Sequence, residues 1–153
     1  MKTLVIYDSL FGNTEKVAKA IGSSIKGSKV LNVGKVKLQE LNSYDLLIVG
    51  SPTHGGRPSQ PIQSFLNDIP NSQLKGVKVA AFDTRFSYED HGLGLKFVMK
   101  VLNFAASRIA DTLKKKGGEE ITSPMGFIVE GKEGPLKKDE LEKALSWPLK
   151  FKK

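Results

Sequence analysis

The residues best placed to do chemistry form the loop 9–14, which reads Ser9, Leu10, Phe11, Gly12, Asn13 and Thr14. It follows the short apolar run 3–7, which is typical of a buried strand. It precedes 14–25, where apolar residues recur at helical spacing. A strand-to-helix turn of this kind directs unpaired backbone N–H groups and the positive end of the helix dipole at one point. The loop therefore predicts a phosphate site without a cationic side chain; the alternative is an ordinary turn in which Asn13 or Thr14 caps the helix.

Two further loops follow apolar runs that predict strands. The run 45–50 leads into Ser51, Pro52, Thr53, His54, Gly55, Gly56, Arg57 and Pro58. The run 77–82 leads into Asp83, Thr84 and Arg85 and then into a loop that continues to Gly94. Ligands of parallel sheets bind beyond the carboxyl ends of the strands. We therefore expect one site where the three loops meet.

Strands alternate with helices along the chain. The remaining predicted elements are strands 29–33 and 121–129, helices 61–69 and 95–116, and a last helix that opens at Gly134–Pro135 and closes at Pro148. Pro124 interrupts the last strand, which favours a sheet edge. Gly117 is a suitable stop for the longest helix. This alternation predicts an α/β fold with right-handed crossovers and a parallel sheet covered on both faces.

Length and composition narrow the class of protein. A chain of 153 residues is most simply one domain, spanning 1–153. The absence of cysteine excludes disulfides and iron–sulfur clusters, and two distant histidines argue against structural zinc. No apolar run is long enough for a membrane span or a signal peptide, so we expect a cytoplasmic protein. The formal charge of +8 is spread along the chain without interleaved aromatics, which argues against nucleic-acid binding.

Several nucleotide-binding motifs can be excluded at the first loop. A Walker loop needs Gly-Lys-Ser/Thr, whereas this chain has Gly12, Asn13, Thr14 and Glu15. A dinucleotide fingerprint needs three spaced glycines, and only Gly12 is present. A phospho-acceptor receiver domain needs an aspartate where the run 45–50 ends, and no carboxylate is found there. Neither histidine has the sequence context of a nucleophile elbow.

The three loops resemble those of the flavodoxin family, and the first loop is the most specific of them. The loop 9–14 is similar to the phosphate loop of flavodoxins, 51–56 to their second loop, and 83–85 onward to their third. The resemblance covers essentially the whole chain. It implies a flavodoxin-like three-layer α/β/α sandwich, a five-stranded parallel sheet in the order 2-1-3-4-5, and one non-covalent FMN. Because the last strand carries no long insertion, the chain resembles the short-chain form.

The resemblance also implies roles for individual residues. Contacts with the phosphate are implied for Ser9, Leu10, Phe11, Gly12, Asn13 and Thr14. Contacts with the reactive edge of the isoalloxazine are implied for Ser51, Pro52, Thr53, His54, Gly55 and Gly56. Contacts with the pyrimidine side are implied for Asp83, Thr84, Arg85, Gly92 and Gly94. In flavodoxins a glycine-containing peptide of the second loop flips as the flavin is reduced, and glycine reaches both backbone orientations at little cost.

Five positions keep two interpretations each. Either Tyr88 or Phe86 stacks on the flavin, or they pack the third loop down. His54 either serves the site or is a turn residue without a role in proton transfer. The arginines of the loops, Arg57 and Arg85, are either solvated charges or groups that raise the electron affinity of the flavin. The single tryptophan, Trp147, is expected to pack in the core or at a helix end.

The basic charge departs from the family, whose typical members are acidic. It leaves the flavin site intact but puts the usual docking partners in doubt. We expect a one-electron carrier between redox proteins, a monomer or weak dimer, with no catalytic residue and no metal. The alternatives are a flavin-dependent oxidoreductase acting on a small molecule such as a quinone or porphyrinogen, and a flavin-free binding module.

Overall fold

A parallel sheet forms the centre of the protein in the computed structural model, which describes residues 1–86 and 104–151. Its strands are β1 (Thr3–Tyr7), β2 (Lys29–Asn32), β3 (Leu46–Pro52), β4 (Lys78–Phe86), β5 (Glu119–Glu120) and β6 (Met125–Val129). The strand order is β2-β1-β3-β4-β5. The strand β6 pairs with the second half of β4, whereas β5 pairs with its first two residues. The predicted order 2-1-3-4-5 is therefore confirmed.

Helices cover both faces of the sheet. They are α1 (Asn13–Ser23), α2 (Gln60–Asp68), α3 (Ala105–Lys115) and α4 (Glu140–Ser146), with 3-10 turns at Val33–Lys35, Leu38–Ser43 and Trp147–Lys150. Alternate residues of β1 separate into two cores: Leu4 and Ile6 pack with α2 and α3, whereas Val5 and Tyr7 pack with α1 and α4. This alternation produces the expected three-layer sandwich. None of the helices within the described ranges is long and apolar enough to cross a bilayer.

The predicted strand 121–129 is divided into β5 and β6. Both parts pair with β4 on the same side, so together they fill the fifth position of the sheet. Between them lies Pro124, which has no N–H to donate to the ladder, and this accounts for the interruption. Among the described strands, β6 pairs only with β4, and its last residue, Val129, forms an isolated antiparallel bridge with Leu136, so β6 lies at the edge of the sheet as expected.

Some predicted boundaries are wrong. β4 does not end at 82 but continues to Phe86, so Asp83, Thr84 and Arg85 lie in a strand and not in a loop. Its ladder with β3 reaches Thr84, and its ladder with β6 reaches Phe86. The strand was predicted from its run of apolar residues, and the last part of β4 contains polar residues, so the prediction ended the strand too early.

The helix ends also differ from prediction. The predicted helix 95–116 falls partly outside the described residues, but Phe104 has an extended backbone, so α3 begins only at Ala105. Gly117, with φ 108°, follows its end as expected. The last helix begins at Glu140, six residues after the predicted opening at Gly134. The buried Trp147, 1 % exposed, confirms the expected packing role.

Candidate cofactor-binding site

A cleft opens where β1, β3, β4 and β6 end at the same edge of the sheet. It contains about 460 Å³ of space between atoms, part of which is open to solvent. The lining residues that the sequence predicted are Ser9, Leu10, Phe11, Asn13, Thr14, Pro52, Thr53, His54, Thr84 and Arg85. Phe86, named as a possible stacking residue, also lines the cleft. The first two loops and the end of β4 therefore meet at one place.

Not every predicted residue reaches the cleft wall. Gly12, Ser51, Gly55, Gly56 and Asp83 are not among the lining residues, although all of them except Gly56 are adjacent in sequence to one. Tyr88, Gly92 and Gly94 lie outside the described residues. Sequence reasoning missed Val129 and Lys132, which line the cleft from the end of β6 and the turn after it.

The first loop holds the N-terminus of α1 open toward the cleft. Gly12 stands at the N-cap with φ 94°, so neither Asn13 nor Thr14 caps the helix as the simpler interpretation required. Instead the Ser9 hydroxyl accepts from the backbone N–H groups of Gly12 (3.1 Å) and Glu15 (3.2 Å). The N–H groups of Asn13 and Thr14 have no acceptor within the helix, because they belong to its first turn. This arrangement suits an anion at the helix N-terminus.

Three threonines join the loops beneath the cleft. The hydroxyls of Thr14 and Thr84 are 2.8 Å apart, and both side chains are almost fully buried. The backbone N–H of Thr53 donates to the carbonyl of Thr84 at 2.9 Å, and its hydroxyl accepts from the N–H of Ala105 at 3.3 Å. A hydroxyl group both donates and accepts, so the Thr14–Thr84 pair can share a further hydrogen bond with a ligand. The cleft floor is therefore polar and held from several elements.

An ion pair between the buried Asp83 and Arg85 lies at the end of β4. Arg85 donates from Nε to Oδ1 of Asp83 (2.6 Å) and from Nη2 to Oδ2 (2.8 Å), and Asp83 is 0 % exposed. The backbone N–H of Ala106, in the first turn of α3, also donates to Oδ2 at 2.9 Å. Burial raises the pKa of the Asp83 carboxyl, while Arg85, Ala106 and the Thr53 hydroxyl act in the opposite direction. Asp83 thus fixes Arg85 and α3.

Arg85 is enclosed on its other sides as well. Its guanidinium lies over the ring of Phe104, 3.7 Å from the centroid, in a cation–π contact. Gly126 of β6 gives it room: a Cβ there would come within 2.4 Å of the Arg85 side chain. Arg85 is therefore a positioned residue of the cleft wall and not a solvated loop charge.

The second loop is a narrow turn beside the cleft. His54 and Arg57 exchange backbone hydrogen bonds of 2.8 and 3.0 Å, and Gly55 and Gly56 between them have φ values of 56° and 79°. Two consecutive positive φ values strongly favour glycine at both positions. Ser51 anchors the base of the loop, because its hydroxyl accepts from the N–H of Ser59 at 2.8 Å. His54 lines the cleft, whereas Gly55 at the tip of the turn is exposed and Gly56 is half-buried.

The turn after β6 closes the site over the first loop. The Asn13 side chain donates from Nδ2 to the carbonyl of Glu133 at 3.0 Å. Gly134, with φ 100°, allows the Asn13 side chain to pack against its backbone, because a Cβ at Gly134 would lie 2.5 Å from the Asn13 side chain. Lys132 precedes this contact and lines the cleft. The pair Gly131 and Gly134 marks a turn in the sequence, but nothing in the sequence indicates that this turn meets the loop 9–14.

Comparison with known proteins adds independent observations. A family model described as Flavodoxin matches residues 5–147. The flavodoxin of Maridesulfovibrio salexigens is 29 % identical over 129 residues, covering 78 % of this chain and 88 % of that protein. An uncharacterized protein of Methanocaldococcus jannaschii is 30 % identical over 120 residues, covering 78 % and 70 %.

A solved structure is similar over nearly the whole fold. Oxidised Flavodoxin 2 from Bacillus cereus superposes with a TM-score of 0.76 at 24 % identity, covering 99 % of this chain and 97 % of that chain. At this identity the likeness shows the fold. The family match extends from β1 to the first residue of the last 3-10 turn.

Proposed function

The chain belongs to the flavodoxin family, and from that premise we propose that it carries single electrons between redox proteins on an FMN held in the cleft. Proteins of this family bind FMN and transfer electrons, so the protein is an FMN-binding electron-transfer protein. The flavin supplies the redox chemistry, and the protein supplies binding, orientation and electrostatics. The observation that carries the assignment of the site is the meeting of the first two loops and the end of β4 at one cleft.

The residues present fit the phosphate of this cofactor. The first-turn N–H groups of α1 and the buried Thr14–Thr84 hydroxyl pair are donors suited to a dianion. The Ser9 hydroxyl accepts from two backbone N–H groups, which leaves its O–H free to donate to the phosphate. We therefore assign Gly12 to shaping the phosphate loop, and Ser9, Asn13 and Thr14 to contact with the phosphate.

The wall formed by β3 and β4 fits the flavin ring. Pro52, His54 and Phe86 line the cleft with flat or apolar surfaces, and Arg85 presents a fixed cation. We assign Phe86 and His54 to the faces and edge of the ring. Gly55 and Gly56 allow the turn beside it to change its peptide orientation at little cost. Asp83 acts indirectly, because it holds Arg85 and lies beneath the lining.

The rim of the cleft presents two exposed apolar side chains. Leu10 is 65 % and Phe11 is 42 % exposed, and both line the cleft entrance. Electron carriers dock transiently with redox partners, and apolar side chains around a cofactor edge serve such contacts. We infer that partners dock at this rim.

The same proposal includes the domain organisation, oligomeric state and location of the protein. We infer a single domain, a monomer or weak dimer, active in the cytoplasm and without affinity for nucleic acid. Two supports are the single sheet with its two cores and the absence of cysteine. The alternative of an enzyme acting on a quinone or porphyrinogen is not favoured, since the relatives that match along most of the chain include flavodoxins.

The test is the absorption spectrum of the purified protein during stepwise reduction. We expect a bound flavin that is reduced in two resolved one-electron steps, and a released cofactor that chromatographs as FMN. Recovery of FAD at stoichiometric amounts would contradict the cofactor assignment. Rapid turnover with a nicotinamide donor and a quinone would replace the carrier by the enzyme.

A further inference from the structure

The first loop contains no cation, yet the cofactor phosphate carries up to two negative charges. The cations on the cleft lining of the described residues are Arg85 and Lys132. Arg85 is engaged in its bidentate pair with the buried Asp83, so its charge is largely compensated. Lys132 has no carboxylate within 4.0 Å among residues 1–86 and 104–151. It is therefore the uncompensated cation of this wall.

The turn that carries Lys132 is held in place on both sides. At its base, Glu130 donates its N–H to the carbonyl of Pro135 at 2.8 Å, and Lys137 donates its N–H to the carbonyl of Ile128 at 2.9 Å. At its tip, Gly134 donates its N–H to the carbonyl of Gly131 at 3.0 Å. The segment 130–135 is thus a closed turn with internal hydrogen bonds.

The same turn is fixed to the phosphate loop. Asn13, the first residue of α1, donates to the carbonyl of Glu133, and the missing Cβ of Gly134 admits the Asn13 side chain. Lys132 is the residue before this contact, and it lines the cleft together with Ser9 and Thr14. The side chain that binds the turn is therefore a neighbour of the N–H groups that face the anion. This attachment places the lysine on the phosphate side of the site.

We propose that Lys132 is the phosphate-recognition cation of the cofactor site, and that Asn13 positions it by holding the turn 130–135 against the first loop. This inference rests on the proposed function and adds a residue to it. The backbone of α1 provides directed hydrogen bonds, and Lys132 provides charge. Its effect is selective: it favours FMN over riboflavin, which has the same ring and ribityl chain but no phosphate.

The experiment measures flavin binding to apoprotein by fluorescence quenching, with FMN and with riboflavin as separate ligands. The variant is Lys132→Gln, and the matched control is Lys138→Gln, which removes the same charge from an exposed residue outside the cleft lining. Because Lys132 is exposed, solvent screening limits its effect to about three- to fivefold in the Kd for FMN at low salt. We expect a smaller change at about 0.5 M salt.

Three comparisons decide the result. Support requires that Lys132→Gln weakens FMN binding while riboflavin binding changes less than about twofold, and that Lys132→Arg retains the affinity for FMN. Equal losses for both ligands would assign Lys132 a purely structural role and overturn the proposal. If Lys138→Gln weakens FMN binding equally, the effect comes from the overall charge of the protein and not from Lys132. If Lys132→Gln leaves FMN binding unchanged, Lys132 does not contact the phosphate. If the unaltered protein binds neither ligand, the proposed function fails first.

Discussion

Replacing Arg85 by methionine isolates the consequence of a buried, unpaired carboxylate. The substitution keeps an apolar stem for Phe104 but removes both short hydrogen bonds to Asp83, which is 0 % exposed. Breaking a buried ion pair on one side costs about 3–5 kcal/mol in the free energy of unfolding. Asp83 retains the N–H of Ala106, so we place the loss near the lower limit, about 3 kcal/mol. This is a large part of a typical domain stability of about 5–15 kcal/mol.

The pH dependence follows from the same carboxyl. Burial raises the pKa of Asp83 in the folded protein, and removal of Arg85 takes away the strongest opposing influence. The folded variant therefore binds a proton more readily than the unfolded chain between the ordinary pKa of about 3.9 and the raised folded value. In that window the unfolded state carries fewer protons, so stability rises as the pH falls. The defect of Arg85→Met should accordingly shrink as the pH falls into that window.

Urea unfolding at several pH values is the assay. The control is Arg57→Gln, which removes the same charge from an exposed residue near the cleft and should alter stability by less than about 0.5 kcal/mol. The double variant Asp83→Asn with Arg85→Met should recover part of the loss, because no buried charge remains. A loss below about 1 kcal/mol at pH 7, or a defect that does not change with pH relative to the unaltered protein, would refute the reasoning.

Three further outcomes are expected. Thr14→Val removes the hydroxyl that pairs with Thr84, so the Kd for FMN should rise about tenfold or more, and an unchanged titration would exclude Thr14 from phosphate contact. Arg57→Gln should lower the reduction potential of the bound flavin by no more than tens of millivolts in potentiometric titration, because Arg57 is exposed and solvent screens its charge; no shift beyond error would make Arg57 irrelevant to tuning. Gly50→Ala would bring a Cβ within 2.0 Å of the Phe82 ring, so urea unfolding should show a loss of about 1–3 kcal/mol, and full stability would mean that the ring moves away freely.

The sheet could be predicted from the sequence because its central strands are short, continuous apolar runs. The β1 and β3 residues are buried on both faces, so their hydrophobicity is continuous. The end of β4 could not be found in this way. Asp83 and Arg85 are two positions apart in a strand, so their side chains share a face and satisfy each other, and a polar ending looks like a loop.

The loops of the candidate site could be predicted from the sequence, but the contact between the turn after β6 and the first loop could not. The loop 9–14 has a recognisable order of residue types, and the position of such loops follows from the parallel topology. The contact of Asn13 with Glu133 joins residues 120 positions apart and depends on a backbone carbonyl, which has no signature in side-chain types. Lys132 became visible only when that contact placed its turn beside the phosphate loop.

The basic charge of the chain acts on partners more than on the flavin. Lys29 and Lys78 begin β2 and β4, at the edge of the sheet opposite the cleft. From Lys78 to Phe86 the strand rises over eight steps, or about 26 Å. This exceeds the Debye length of about 8 Å at physiological ionic strength, so remote lysines are screened from the cofactor. The potential of the flavin should therefore depend on Lys132 in the cleft lining and on Arg57 in the turn beside it, whereas we expect the total charge of +8 to act on how the molecule approaches its redox partners.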